Sequence, residues 1–268
     1  CMKLRDKLWI WGQDPGSHHK VNGNAWKLPG VNRMGPVEGC RYLGIPNCCR
    51  VVMSGSPVPP FDHEAELLDP LREVVWSLIG DSGSKRNDDG TDLEEIIRIA
   101  GEHPNITGGI MDDFMNPARM KIFTPERLAG FRERLHTALP GKKLDLWTVL
   151  YTHELTDGAV PYLAQVDRIS LWTWKGKDLF ALPENMERLR GIAGADKSVL
   201  CGCYMWDYGA CAPLDPGCMS FQLDTYLSWL RERRIDGVIF CSNCIADVGI
   251  EAAETVRAWI ADHGEEEI

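Results

Sequence analysis

The densest chemistry in the chain lies where an apolar run ends in acid. In Ile106-Thr-Gly-Gly-Ile-Met-Asp-Asp-Phe, a strand-like segment with two glycines leads directly into the adjacent carboxylates Asp112 and Asp113. Successive strand residues point to opposite sides, so one acid is expected to face the interior and the next the wall or the following loop. Two carboxyls held close push each other's proton affinities apart, and one of them stays protonated near neutral pH as a general acid. The plainer alternative is a loop cap beside a solvated charge.

The ends of the other apolar runs carry polar and aromatic residues of the same kind. They include Gln13, Asp14, His18 and His19, then Arg86, Asn87, Asp88 and Asp89, then Tyr151, Thr152, His153 and Glu154. Further on come Trp172, Thr173, Trp174 and Lys175, then Tyr204, Trp206, Asp207 and Tyr208, and finally Ser242 and Asn243. Trp174 and Trp206 fall at strand tips, where an indole offers a flat apolar face to the C–H face of a sugar ring or to a cation. Arg86 and Lys175 are basic residues placed to meet a substrate carboxylate or sulfate, as in a uronic or sialic acid, with an internal salt bridge as the structural alternative.

These residues need a frame that gathers strand ends on one rim. Short apolar runs at Leu8–Trp11, Cys49–Met53, Val74–Ile79, Ile106–Met111, Leu144–Leu150, Arg168–Thr173, Val199–Met205 and Gly237–Phe240 read as strands. Helical stretches alternate with them. Thr91 to Glu94 reads as a capping box opening Leu93–Ala100, Thr124-Pro125 opens Arg127–Leu139, and Asp215-Pro216 opens Met219–Leu230. The last helix spans Glu251–Asp262 and stops at Gly264. Eight strand–helix units predict an α/β protein, a single (β/α)₈ barrel over residues 1–268, whose C-terminal rim is where active sites form. A doubly wound sheet is the alternative, but Gly12 to Gly16 lacks its glycine-rich spacing. The two longest non-helical stretches, Gln13–Met34 and Gly55–Asp69, both fall on that rim.

Composition narrows the function classes. With 29 Lys+Arg against 39 Asp+Glu the net charge is −10, which offers no basic face for duplex nucleic acid. No apolar run reaches the roughly 18 residues of a membrane helix, so no membrane partner is expected. The ten cysteines are expected to be core residues rather than a disulfide framework, because the chain is long enough to bury a core without staples. Cys48, Cys49, Cys201, Cys203 and Cys241 lie in the apolar runs themselves, and Cys241 with Cys244 makes one isolated C-x-x-C. Thiol abundance with no visible signal segment leans towards the cytoplasm, with a lipid-anchored Cys1 as the alternative. Ten tryptophans are the other excess, and Trp9, Trp11, Trp76, Trp147, Trp172, Trp174 and Trp206 fall in or just after strands.

The Asp112-Asp113 pair after the fourth strand resembles the retaining O-GlcNAcase and hyaluronidase-like glycosidases, and more loosely chitinases and hexosaminidases. The resemblance implies a glycoside hydrolase acting on a carbohydrate, without cofactor or metal. It implies that Asp112 orients the substrate, whose own acetamido oxygen attacks the anomeric carbon, and that Asp113 is the acid/base. Tyr151, Asp207 and Asn243 resemble the groups that hold the acetamide and hydroxyls. Trp174, Trp206, His153, Glu154, Lys175, Arg86 and His18 complete the expected substrate contacts. A conventional pair of carboxylates would instead join Asp113 to Asp207 or Glu154. The runs Trp172 to Lys175, Leu200 to Gly209 and Asn24 to Gly30 are also similar to a family of bacterial barrels, a resemblance that implies the fold and no activity. Two other functions fit the same rim: a metal-dependent sugar isomerase or lyase using His18 or His19, Asp112, His153 and Asp207, and a carbohydrate-binding barrel without turnover.

Overall fold

A computed structural model of the chain describes residues 1–84, 86 and 91–268. Eight strands, β1 Leu8–Gly12, β2 Asn47–Arg50, β3 Glu73–Ile79, β4 Ile106–Met111, β5 Asp145–Tyr151, β6 Arg168–Trp172, β7 Ser198–Tyr204 and β8 Gly237–Cys241, pair in chain order. Every pairing is parallel, and β8 returns to β1 with Leu8 opposite Val238 and Trp11 opposite Cys241, closing the barrel. Helices α1 Ser17–Lys20, α2 Pro36–Leu43, α3 Asp62–Leu68, α4 Leu93–Glu102, α5 Pro117–Ile122 and α6 Pro125–Thr137 lie in the first half of the chain. Helices α7 Val160–Leu163, α8 Leu182–Ala193, α9 Pro216–Arg231 and α10 Glu251–His263 follow. This is a single (β/α)₈ barrel.

The strands are buried on both faces because helices cover their outer side and side chains fill the inside, hence the nearly unbroken apolar runs. Two of the expected caps form as read: Thr124 accepts from the Arg127 amide, and Asp215 from the amides of Gly217 and Cys218. The third differs. The residue preceding α4 is Asp92, whose carboxylate is taken by Arg86, so the Thr91 box is not made and Thr91 Oγ1 accepts from the Leu93 amide at 3.3 Å. Strand β2 starts and stops earlier than its apolar run, because Asn47 and Arg50 pair across to β1 and β3 while Val51–Met53 already belong to the rim. Both long stretches read as non-helical contain a helix, α1 in the first and α3 in the second.

The tryptophans explain how the barrel is filled. Trp9 on β1 meets Trp147 on β5, across the interior, at 4.9 Å between ring centres. Two residues further along β1, Trp11 meets Trp172 on β6 at 5.3 Å. Residues i and i+2 share a face, so the indoles form two layers, the upper one being the floor of the rim. The layer requires a missing side chain on β7: a Cβ on Gly202 would lie 2.0 Å from the Trp172 ring. The strand cysteines are buried and free, as core residues should be.

Candidate active site

Above the Trp11–Trp172 layer opens a cleft of about 1130 Å³ at the C-terminal ends of the strands. One side is acidic. The amide of Asp112 continues the β3–β4 ladder to Ile79 at 2.9 Å, and its side chain is 5% exposed. Asp113 then turns into the left-handed region, φ 43°, a conformation that Asp tolerates better than most residues. That turn sends its carboxylate out of the barrel wall, where Oδ1 accepts from the Tyr151 hydroxyl at 2.9 Å and Oδ2 from the Ser82 amide at 3.2 Å. Arg119, at the start of α5, locks the strand end by donating to the carbonyls of Gly80, Asp112 and Asp113. The Asn116 side chain donates to the Asp113 carbonyl at 2.9 Å and caps α5.

The electrostatics follow from this geometry. Burial, followed by the charges of Asp113 and Asp81, drives the Asp112 carboxyl well above the usual range, against the opposing effect of Arg119. Asp112, buried beside Asp113, is therefore held in its protonated form. Glu154, at the end of β5, is pushed up to about 7 by burial and by Asp113, although the Tyr151 amide donates to its Oε1 at 2.9 Å.

The opposite side of the cleft is aromatic. Tyr151 packs edge-on to Trp174 at 6.1 Å, and Trp174 stacks against Tyr208 at 5.8 Å. Tyr208 meets Trp26 at 5.0 Å, and Tyr204 touches both Trp174 and Tyr208. His153 lies flat on Tyr151 at the mouth, 5.2 Å between centres. His18 is 3% exposed, with Nε2 2.8 Å from Gln13 Nε2 and Nδ1 2.8 Å from the Tyr208 hydroxyl. Burial lowers its pKa to about 3, so the ring is neutral.

Asp112, Asp113, Tyr151, His153, Glu154, Trp174 and His18 thus share one cleft. The other expected contacts stand behind it or beside it. Trp206 is buried and donates to the Trp26 carbonyl at 3.0 Å, holding the first loop in place. Asp207 closes its own hairpin with Ala212 and accepts from the Ala210 amide. Asn243 is fully buried and ties the first loop to the last one through Gln13 and Met34. Arg86 makes a two-pronged pair with Asp92 at 2.8 and 2.9 Å and donates to the carbonyls of Gly55 and Pro57. Lys175 is exposed outside the cleft lining. Asn87, Asp88 and Asp89 lie outside the described residues.

Sequence reasoning passed over Arg119 and Ser82, and noted Trp26, Tyr204 and Tyr208 without choosing them as contacts. The signal for Arg119 is the Asn116-Pro117 cap a few residues after β4, which starts a helix on the rim. The residues named for the metal reading do not come together as one ligand group among the described residues. Among the described residues the one group of His, Cys, Asp or Glu close enough to share an ion is His136, Asp145 and Asp167. It lies at the opposite strand ends, already paired with Arg132 and Arg168.

No family model and no curated protein sequence matches the chain. Its structure is similar to a putative α-L-fucosidase from Bacteroides thetaiotaomicron, with a TM-score of 0.60 and 9% identity over 99% of this chain and 98% of that one. It is also similar to a chitinase from the same organism, with a TM-score of 0.57 and 10% identity over 100% and 99%. An endo-β-N-acetylglucosaminidase from Cordyceps militaris matches with a TM-score of 0.53 and 12% identity over 96% and 90%. Likeness at such identities shows the shared barrel.

Proposed function

We propose that the protein is a glycoside hydrolase acting on a carbohydrate at the C-terminal rim of the barrel. One observation carries this reading: adjacent carboxyls, one kept protonated by burial, face an aromatic wall in a cleft of about 1130 Å³. Asp113 is the group that touches the sugar. It relays the proton held by Asp112 to the glycosidic oxygen as the C–O bond breaks. The carboxylate left behind takes a proton from the water whose oxygen then bonds to the anomeric carbon. The first displacement comes from the substrate's own 2-acetamido oxygen, or from a second carboxylate across the bond. Glu154 suits that second role better than Asp207, whose carboxylate is engaged in its hairpin. The positions of Arg86 and Lys175 favour a neutral sugar over an acidic one. The relatedness in fold to carbohydrate-active barrels is consistent with this reading.

A panel of chromogenic glycosides, including N-acetylated ones, tests the proposal. Wild type should hydrolyse at least one, and Asp113→Asn should lose roughly 10²–10⁴-fold in kcat, the usual worth of general acid–base catalysis. Turnover of none of them, or turnover untouched by the substitution, overturns it.

A further inference from the structure

The acidic pair and Tyr151 occupy one part of the cleft, but three aromatic rings continue beyond them with no part in bond cleavage. Trp26, Trp174 and Tyr208 touch one another at 6.3, 5.8 and 5.0 Å between centres. Trp26 belongs to the first loop, yet it is held there: its carbonyl accepts from Trp206, and its ring packs edge-on to His18 at 5.1 Å.

The hydrogen bonds behind Tyr208 fix what that residue offers. Ser17 donates to Gln13 Oε1 at 2.7 Å, which leaves the Gln13 amide nitrogen facing His18. An amide nitrogen only donates, so His18 Nε2 accepts, and the proton of the neutral ring must sit on Nδ1. Nδ1 then donates to the Tyr208 oxygen at 2.8 Å. With its oxygen accepting from Nδ1, Tyr208 keeps its own proton to give, and it lines the cleft where a ligand oxygen can take that proton.

We infer that Trp26, Trp174 and Tyr208 form a second sugar subsite, so that the substrate is an oligosaccharide rather than a single glycosyl unit on an aglycone. The indoles stack on the distal ring and Tyr208 donates to one of its oxygens, with His18 and Gln13 as positioning residues. The cleft volume agrees, since about 1130 Å³ exceeds the roughly 300–1,000 Å³ of ordinary small-ligand pockets. The inference rests on the proposal that the cleft takes carbohydrate.

The experiment compares nitrophenyl glycosides of glucose and N-acetylglucosamine with those of the corresponding disaccharides. For the sugar that is turned over, wild type should favour the disaccharide in kcat/KM by roughly tenfold, the size of one aromatic platform plus a neutral hydrogen bond. That ratio should fall to within about twofold in Trp26→Ala, drop part-way in Tyr208→Phe and persist in Trp26→Phe. Absence of a chain-length preference in wild type, or its survival in both Trp26→Ala and Tyr208→Phe, overturns the subsite and leaves the hydrolase proposal standing. If no glycoside is cleaved, calorimetric titration with the free mono- and disaccharides decides. Tighter disaccharide binding that the two variants abolish sustains the subsite while the hydrolase proposal falls, and equal or absent binding overturns it.

Discussion

Replacing Glu154 with glutamine probes the electrostatics of the cleft without touching its shape. The Glu154 side chain accepts from the Tyr151 amide, a bond the glutamine oxygen can keep. Burial and Asp113 raise the carboxyl from its ordinary 4.5 to about 7. The folded protein therefore binds more protons than the unfolded chain between those values, and stability falls as pH rises through that window. Above about 7 the ionised carboxylate carries the whole penalty. At about 1.36 kcal/mol per pH unit the interval corresponds to about 3 kcal/mol, which partial solvation of the side chain reduces to about 1–2 kcal/mol. Glutamine carries no such penalty. Urea unfolding of wild type and Glu154→Gln at several pH values should give similar stabilities near pH 4.5, with the variant ahead by about 1–2 kcal/mol at pH 8. Subtracting the two curves cancels carboxyls elsewhere in the molecule. A difference that does not change with pH, or one that favours wild type at pH 8, would refute the argument that burial and Asp113 govern this group.

Two further outcomes follow from the packing and the buried network. Gly202→Ala places a methyl group 2.0 Å from the Trp172 ring, so it should lower the urea midpoint by an amount worth about 3 kcal/mol and disturb the cleft floor; unchanged stability would show that the indole layer yields. Nitrogen NMR of His18 should show a neutral ring protonated on Nδ1 with no titration over roughly pH 5–8, and a midpoint within that range would contradict its burial between Gln13 and Tyr208.

The barrel was legible because each strand is sealed on both sides and so reads as an unbroken apolar run. Where polar residues enter a strand the reading slips. Asn47 and Arg50 are buried in β2, Asn47 donating to the carbonyls of Asp6 and Leu8, and Arg50 pairing with Asp14 and Glu64 at 2.5 and 2.9 Å. Neither partner is visible from the local sequence. Helix α3 was hidden for a similar reason: its first turn has Phe61 in the capping position and no side-chain cap.

Asp112, Asp113, Tyr151, Glu154 and Trp174 line the cleft because each lies at a strand end or in the first few residues after one. Asp207 and Asn243 sit equally near their strand ends, but their side chains are taken up in folding the loops. The network that the sequence concealed joins Gln13 and His18 to Tyr208, residues nearly two hundred positions apart that only barrel closure brings together. Trp26 was equally hidden, since its place depends on the indole of Trp206.

The central claim is that Asp113 delivers the proton to the departing oxygen, and leaving-group dependence tests it most directly. A good leaving group needs little protonation, whereas a poor one needs all of it. Measured on aryl glycosides of one sugar with increasingly basic phenols, kcat/KM of Asp113→Asn should fall away from wild type progressively, from a small loss on the most activated phenol to roughly 10²–10⁴-fold on the least. A loss of the same size across the whole series would contradict Asp113 as the acid.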